Sequence, residues 1–498
     1  MSRILSENSD CYIRRRGLIV DSPSRACSKE LITTSSTETT CSVSEISSKN
    51  AESLPLAECE LSDDDLFYIW KRNSPLLYDT LLLHKLDWPS LTVDLMEDVG
   101  SCKIKGSSLI QRVLIGTHTS QQENEYVILG ELKTPLYQPK YYAGDFENHA
   151  DFSVKLRNNS IGNIPSFELK ARLVHPGEVN RISHMPNNNF YFASQTNYGE
   201  VLVFDYSKHP SVPIDANVSY PQFVLQHHTK EGYGLCWNTT SGRYTESQQL
   251  PLLSSCSSDG TLCLWDISKK SHKKYTNGNE RVSNSCQIIE PIAAVTSECG
   301  LNDVKFLQEY SPVVGTVTDD GRLQIYDFRN PPVKFSSIEC NLFNSDKKDS
   351  CISQNNHSSF QLNCLSFNPY MNTLVITGSE SGLIHLWDLR YPNGSIKEIN
   401  KHREPVTQVS FSSFNAGIFG SSSHDGTISI YDLGSSNGPN KDITNTDDSC
   451  DVKELIFVHR GHQGPVNDFC WSQNPRYGHT IASVGQDNFL QCWRPLNI

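Results

Sequence analysis

The sequence predicts an all-β fold: a seven-bladed β-propeller with an N-terminal α-helix packed on the last blade. Three observations carry that expectation. A turn pair followed six residues later by an aromatic recurs six times along the chain. A β-rich run of fixed phase stands before each turn, and one further two-strand segment brings the count of units to seven.

The first sixty residues stand apart. Residues 31–50 are dominated by Ser and Thr, and such a segment buries too little apolar surface to offset its ordering entropy. A disordered tail is therefore expected over 1–60, with Arg14-Arg15-Arg16 as a short basic cluster in it. Residues 61–86 read as a helix and connector. Ser62 and Asp65 form a capping-box pattern, and Leu66, Ile69, Trp70 and Asn73 follow at helical spacing. Pro75 is expected to end the helix. The apolar run at Leu81-Leu82-Leu83 and the segment Trp88–Val93 then lead into the sheet.

The propeller is expected over 87–498. Residues 112–131 supply two strands and a polar turn without an aromatic-Asp ending. The six recurring turns are Tyr198-Gly199, Asp259-Gly260, Asp320-Gly321, Ser381-Gly382, Asp425-Gly426 and Asp487-Asn488. Their aromatics are Phe204, Trp265, Tyr326, Trp387, Tyr431 and Trp493, and Asp follows in every copy but the last, where Arg494 stands. A turn of this type suits a tight hairpin, with positive φ available at both central residues. Upstream, Ile182, Leu235, Val304, Leu365, Val409 and Phe469 stand two residues before His184, Trp237, Phe306, Phe367, Phe411 and Trp471, so each pair shares one sheet face. Each unit then has three clear strands and a weaker outer one, as in a propeller blade. A strand near Ser90–Leu95 is expected to join the C-terminal blade and close the ring. Long connectors at roughly 134–165, 207–222, 268–287, 334–358 and 434–453 are candidate binding elements.

Charge and motifs narrow the function. The 498 residues carry 56 acids against 43 bases, a net charge of −13, which disfavours a dedicated nucleic-acid binder and favours cationic partners. No apolar run is long enough to cross a bilayer, and the first residues have no signal-peptide core. The sixteen cysteines are scattered without a CxxC pair, so buried free thiols are expected rather than a metal site or disulfides, and no cofactor is implied. GxSxG, HExxH, GxxxxGK[ST] and GxGxxG are absent from the sequence. The set His462, Ser483, Asp487 and Trp493, and its counterpart His228, Ser255, Asp259 and Trp265, resembles a hydrolase triad. Its recurrence at turns instead indicates a structural relay: indole N–H to hydroxyl, hydroxyl to imidazole, imidazole to carboxylate.

The aromatic-Asp endings resemble WD repeats. More narrowly, YIWKRNSPLLYD (68–79), DWPSLT (87–92), RVLIGTHTS (112–120), GEVNRISHMP (177–186), VLVFDYSKHPS (201–211), KEGYGLCWN (230–238), LNCLSFNPY (362–370) and ELIFVHRGH (454–462) resemble the retinoblastoma-binding, multicopy-suppressor-of-Ira type of histone-binding WD proteins. The resemblance spans about 62–498. It implies a non-enzymatic, nuclear scaffold, also cytoplasmic where histones are newly made. Its partners would be histones three and four within chromatin assembly, acetyltransferase, deacetylase, remodelling or Polycomb complexes. It implies no direct sequence-specific nucleic-acid contact and no membrane.

Two surfaces follow from the resemblance. A groove between the N-terminal helix and a loop before the last blade would take the first helix of histone four. The matching positions are Phe67, Ile69, Trp70, Leu76 and Leu77 with Leu455, Ile456, Phe457 and Val458, and Asp447, Asp448 and Asp451 would meet arginines. Val452-Lys453 replace the family's Pro-Pro pair there. One end of the ring would take the histone-three tail at Asp87, His118, Glu178, Asn180, Glu231, Tyr233, Asp319, Gln486 and Asn488. Asn302, Pro405, Thr407 and Gln486 stand where the family has acids or an aromatic, so the acidity of that end is diluted. Trp387-Asp388-Leu389-Arg390, echoed at Tyr326–Arg329, also resembles the box of substrate receptors of cullin-type ubiquitin ligases, the alternative reading.

Overall fold

The computed structural model describes residues 62–96, 108–135, 165–186, 188–238, 252–269, 274–275, 281–283, 285–308, 312–329, 340–341, 361–391, 394–434, 453–474 and 478–496. The expected tail over 1–60 and most of the long connectors lie outside these residues. The chain divides after Asn73 into two units.

Helix α1 spans Asp63–Leu77. Its start is the reciprocal capping box: the Asp65 amide donates to Ser62 Oγ at 3.3 Å and the Ser62 amide to Asp65 Oδ2 at 3.2 Å. Pro75 does not end it, contrary to expectation, because a proline in the last turn removes a single backbone bond. Asn73 Nδ2 donates to the Ile69 carbonyl at 2.9 Å.

The second unit is a seven-bladed ring. Strand β1 (Tyr78–Lys85) comes first in the chain and belongs to the last blade. Blade one holds β2 (Val93–Leu95), β3 (Ser108–Gly116), β4 (Glu125–Pro135) and β5 (Ser166–His175). Blade two holds β6 (Val179–His184), β7 (Tyr191–Thr196), β8 (Val201–Asp205) and β9 (Phe223–Leu225). Blade three holds β10 (Gly234–Trp237), β11 (Leu253–Cys256), β12 (Thr261–Trp265) and, beyond a strand β13 (Gln287–Ile289) that pairs parallel with β9, the outer strand β14 (Ala293–Thr296). Blades four to six follow: β15 (Leu301–Phe306), β16 (Val313–Thr318), β17 (Arg322–Asp327) and β18 (Cys340–Asn341); β19 (Leu362–Phe367), β20 (Leu374–Ser379), β21 (Leu383–Asp388) and β22 (Lys397–Asn400); β23 (Val406–Phe411), β24 (Ile418–Ser423), β25 (Ile428–Asp432) and β26 (Leu455–His459). Blade seven combines β27 (Val466–Trp471), β28 (Ile481–Gly485) and β29 (Phe489–Pro495) with β1 outermost.

The closing strand therefore differs from the one expected. Val93–Leu95 is the inner strand of blade one, and Tyr78–Lys85, read as connector, pairs antiparallel with β29 from Tyr78↔Pro495 to Lys85↔Phe489. Its burial explains the choice. Tyr78, Leu81 and Leu82 are buried, so the outer edge of the last blade is covered by an apolar segment of the same chain. The inner strands touch their neighbours in succession from β2 to β27, and β27 touches β2. The apolar core lies between adjacent blades. Leu114 and Leu129 of blade one pack with Phe192 and Phe204 of blade two, for example, and Trp265 of blade three packs with Val203 of blade two.

A row of inner-strand polar side chains joins blade to blade. Nδ2 of Asn180, Asn302, Asn363 and Asn467 donates to the backbone carbonyl of Gly232, Leu362, Val406 and Ser90, respectively, on the next blade, at 3.3, 2.9, 3.1 and 2.7 Å. Thr407 Oγ1 does the same to the Val466 carbonyl at 2.9 Å.

The hairpin turns also correct one expectation. Glycine alone takes positive φ in five of them, from +77° at Gly426 to +89° at Gly199, and Asn488 takes +61° in the sixth. The preceding Asp keeps negative φ because its carboxylate accepts the amide two residues on, as Asp259 does from Thr261 N at 2.8 Å. In blade one Glu125 substitutes for this device. It is buried and accepts from Thr117 Oγ1, Thr119 N and Thr119 Oγ1 at 2.6, 2.6 and 2.8 Å.

Candidate functional site

In each blade the second-to-third-strand turn and the link into the next blade lie at the same end, because neighbouring strands run antiparallel. That geometry collects all nine residues expected on the basic-peptide face. Asp87, Glu178, Glu231 and Tyr233 lie in links, and His118, Asp319, Gln486 and Asn488 in turns. Asn180 stands at the start of β6.

The carboxylates form a crescent over blades one to five. Asp87 is exposed and accepts from Arg172 at 3.1 Å. Glu178 Oε2 lies 3.7 Å from His118 Nε2. Tyr233 is 42% exposed, with its hydroxyl 3.5 Å from Glu231 Oε2. Partial burial, then the Glu231 and Glu178 carboxylates, push that phenol up to about 12, so it stays a neutral donor beside two acids. Asp319 accepts from Asn302 Nδ2 at 2.9 Å. Three further acids were not singled out from sequence. Glu123 accepts from Trp88 Nε1 at 3.0 Å, Glu380 from Asn363 Nδ2 at 2.9 Å, and Glu298 is exposed in the link to β15. At blade six the character changes, with Arg403 and His424 exposed, and Gln486 supplies an exposed amide at blade seven.

Two of the nine positions are not ordinary surface contacts. Asn180 is 2% exposed and uses its amide N–H in the blade-to-blade row, while its Oδ1 is buried without a hydrogen-bond partner. Asn488 is the turn residue at positive φ, and its carbonyl accepts the Leu86 amide at 2.7 Å.

The histone-four positions fall on both units. Within α1, Phe67 and Ile69 are partly exposed and Trp70 is buried, with the Phe67 and Trp70 rings 5.5 Å apart. Leu76 is exposed and Leu77 partly so, and Leu455, Ile456, Phe457 and Val458 keep partial exposure along β26. Lys453 is exposed. Asp447, Asp448 and Asp451 lie outside the described residues.

The His-Ser-Asp sets are structural relays. In blade seven Trp493 Nε1 donates to Ser483 Oγ at 3.2 Å, Ser483 meets His462 Nε2 at 2.9 Å, and His462 Nδ1 meets Asp487 Oδ2 at 3.0 Å. In blade three Trp265 Nε1 donates to Ser255 Oγ at 2.8 Å, and Ser255 meets His228 Nε2 at 2.7 Å. The direct His228–Asp259 link expected there is replaced by Thr261. Its hydroxyl lies 2.5 Å from His228 Nδ1 and donates to Asp259 Oδ1 at 2.5 Å. His228 and Ser255 are buried, so the hydroxyl is spent within the blade.

The thiols described are free. Burial pushes those of Cys263 and Cys364 upward, and that of Cys470 likewise, so all three are held as neutral thiols. Arg390, in the WDxR box, turns back on its own blade: its guanidinium donates to Asp388 at 2.6, 3.0 and 3.1 Å and lies beside the Tyr391 ring. Arg329 makes the same fork on Asp327.

Two family models match the chain. The first is that of the histone-binding protein RBBP4, or its counterpart in the CAF1 complex. It matches residues 65–136, from α1 through the middle strands of blade one. The second, described as "WD domain, G-beta repeat", matches residues 219–266, 349–388, 393–432 and 453–494, within blades three, five, six and seven.

Proposed function

Because the chain is a histone-binding WD-repeat protein of the retinoblastoma-binding type, we propose that it is a nuclear, non-enzymatic scaffold that holds histone three by its basic tail across the acidic crescent. The carrying observation is the crescent itself. Asp87, Glu123, Glu178, Glu231, Glu298, Asp319 and Glu380 fall on one end of the ring and over adjacent blades, with a half-exposed tyrosine between two of them. Carboxylates at a rim pair with lysine ammonium or, in bidentate fashion, with arginine guanidinium. The Asn180 carbonyl offers a buried acceptor at the foot of the same sector.

Histone four is the second ligand in this reading. Phe67 and Ile69 on α1, and Leu455, Ile456, Phe457 and Val458 on β26, carry the apolar surface an amphipathic helix requires. The protein would serve chromatin assembly, acetyltransferase, deacetylase, remodelling or Polycomb complexes as a shared component. The test is titration of the full chain with a histone-three tail peptide and a histone-four first-helix peptide at physiological salt. Binding of either below about 100 μM, roughly −5.5 kcal/mol, supports the reading, and its absence for both overturns it.

A further inference from the structure

The axis of the ring is lined by the residue three positions before the end of each inner strand. Counted back from those ends, the row reads Thr92, Arg181, Gly234, Asp303, Cys364, Gln408 and Asp468. Its charged members belong to one network. Arg181 NH1 lies 3.0 Å from Asp468 Oδ2, although blade one stands between their blades, and Arg181 Nε donates to the Tyr233 carbonyl of blade three at 2.9 Å. Asp468 also accepts from Val93 N of blade one at 3.0 Å and from Gln408 Nε2 of blade six at 3.2 Å. Asp303 of blade four accepts from Leu365 N of blade five at 3.2 Å and pairs with Lys305 at 3.2 Å. The side chains of Asp303 and Asp468 are 1% and 3% exposed, and that of Arg181 13%. Burial alone would weaken the charged form of the Arg181 guanidinium, but the Asp468 and Asp303 carboxylates outweigh it and raise its pKa.

We infer that Arg181 is a resident cation that fills an acidic site on the ring axis, holding seven blades together and confining any incoming lysine or arginine side chain to the rim above. The chemistry is that of a guanidinium site. Two buried carboxylates and a backbone carbonyl surround one planar cation, and the carboxylates are nearly shut off from water. Removing the cation uncovers that site for an exogenous one of the same shape. The part concerning incoming side chains rests on the peptide-binding reading, whereas occupancy of the axial site does not.

The experiment is chemical rescue on the full chain. Arg181→Ala is predicted to lower Tm, and millimolar methylguanidinium to restore it saturably, by more than about 2 °C. Tetramethylammonium at the same concentration is predicted to restore nothing, and the wild type to respond to neither. The double variant Arg181→Gln/Asp468→Asn removes the charge pair and is predicted to show no methylguanidinium response. If Arg181→Ala is recovered only as unfolded protein, refolding yield becomes the readout, and methylguanidinium alone should raise it. Equal effects of the two cations, or of methylguanidinium on wild type and variant, overturn the inference, as does a lack of any rescue. None of these readouts involves histone peptide, so failure here is distinct from failure of the crescent to bind.

Discussion

The imidazole of His459 lies flat on the indole of Trp493, with centroids 4.2 Å apart and planes 5° from parallel. Its nitrogens meet the Tyr78 hydroxyl at 2.7 Å and Gln491 Oε1 at 2.9 Å. Tyr78 belongs to β1, Trp493 and Gln491 to β29, and His459 to the outer strand of blade six. One buried cluster therefore fastens the closing strand to two blades, and burial holds His459 well below its ordinary value, as a neutral ring.

Tyr78→Phe removes the hydroxyl that pairs with a buried imidazole nitrogen. The expected cost is about 1–3 kcal/mol in urea unfolding, and Tyr78→Ala should cost roughly 3–5 kcal/mol through the added cavity. A cost under about 0.5 kcal/mol for both, on the order expected for a surface change, would contradict closure by β1.

Acid should unfold the ring in a defined window. Burial pushes His175 and His228 down to about 4, from an ordinary value near 6.5. The unfolded chain takes up these protons first, so the stability they contribute is full above about pH 6.5 and is lost as pH falls toward 4. Asp425 behaves as a depressed carboxylate. Burial opposes, but hydrogen bonds from His402 and Thr427 outweigh it and hold Asp425 at about 2, so its contribution is lost only below about pH 3.8. Urea unfolding at pH 7, 5.5 and 4.5 is expected to show stability falling by a few kcal/mol, with a shallower fall in His228→Asn. A flat profile between pH 7 and 5 would count against neutral buried histidines.

The turn geometry makes opposite forecasts for two similar positions. Gly260 sits at φ +82°, and a Cβ there would stand 2.7 Å from the Ser297 carbonyl oxygen, so Gly260→Ala should cost about 1–3 kcal/mol. Asn488→Gly relieves a positive φ and should stay within about 0.5 kcal/mol of wild type. Thermal unfolding of the two variants checks both.

The blades were legible because their signals are local. An Asp-Gly turn, an aromatic six residues later and an alternating strand all fall within a dozen residues, and the recurrence multiplies a weak signal. The closing strand was not legible. Tyr78–Lys85 is an apolar run like any other, and its partner lies some 400 residues away, so nothing nearby marks it as sheet edge rather than connector. Pro75 misled for a related reason: a proline breaks a helix interior but is tolerated in a final turn, and the sequence does not say which turn is final. At the ring face the expected acids share one end, yet Glu123 and Glu380 escaped notice because each is identified by a partner, Trp88 or Asn363, on another loop or strand. The Asn row and Arg181 become visible only when inner strands are aligned with one another.

The most direct measurement of the central claim is calorimetric titration of a histone-three tail peptide into wild type, Glu178→Gln/Glu231→Gln and Arg403→Gln at physiological salt. The crescent variant is predicted to lose at least about tenfold in affinity, roughly 1.4 kcal/mol, and the blade-six variant to bind as wild type does or slightly tighter. Equal affinity for all three proteins, or a loss confined to Arg403→Gln, would contradict binding at the acidic crescent.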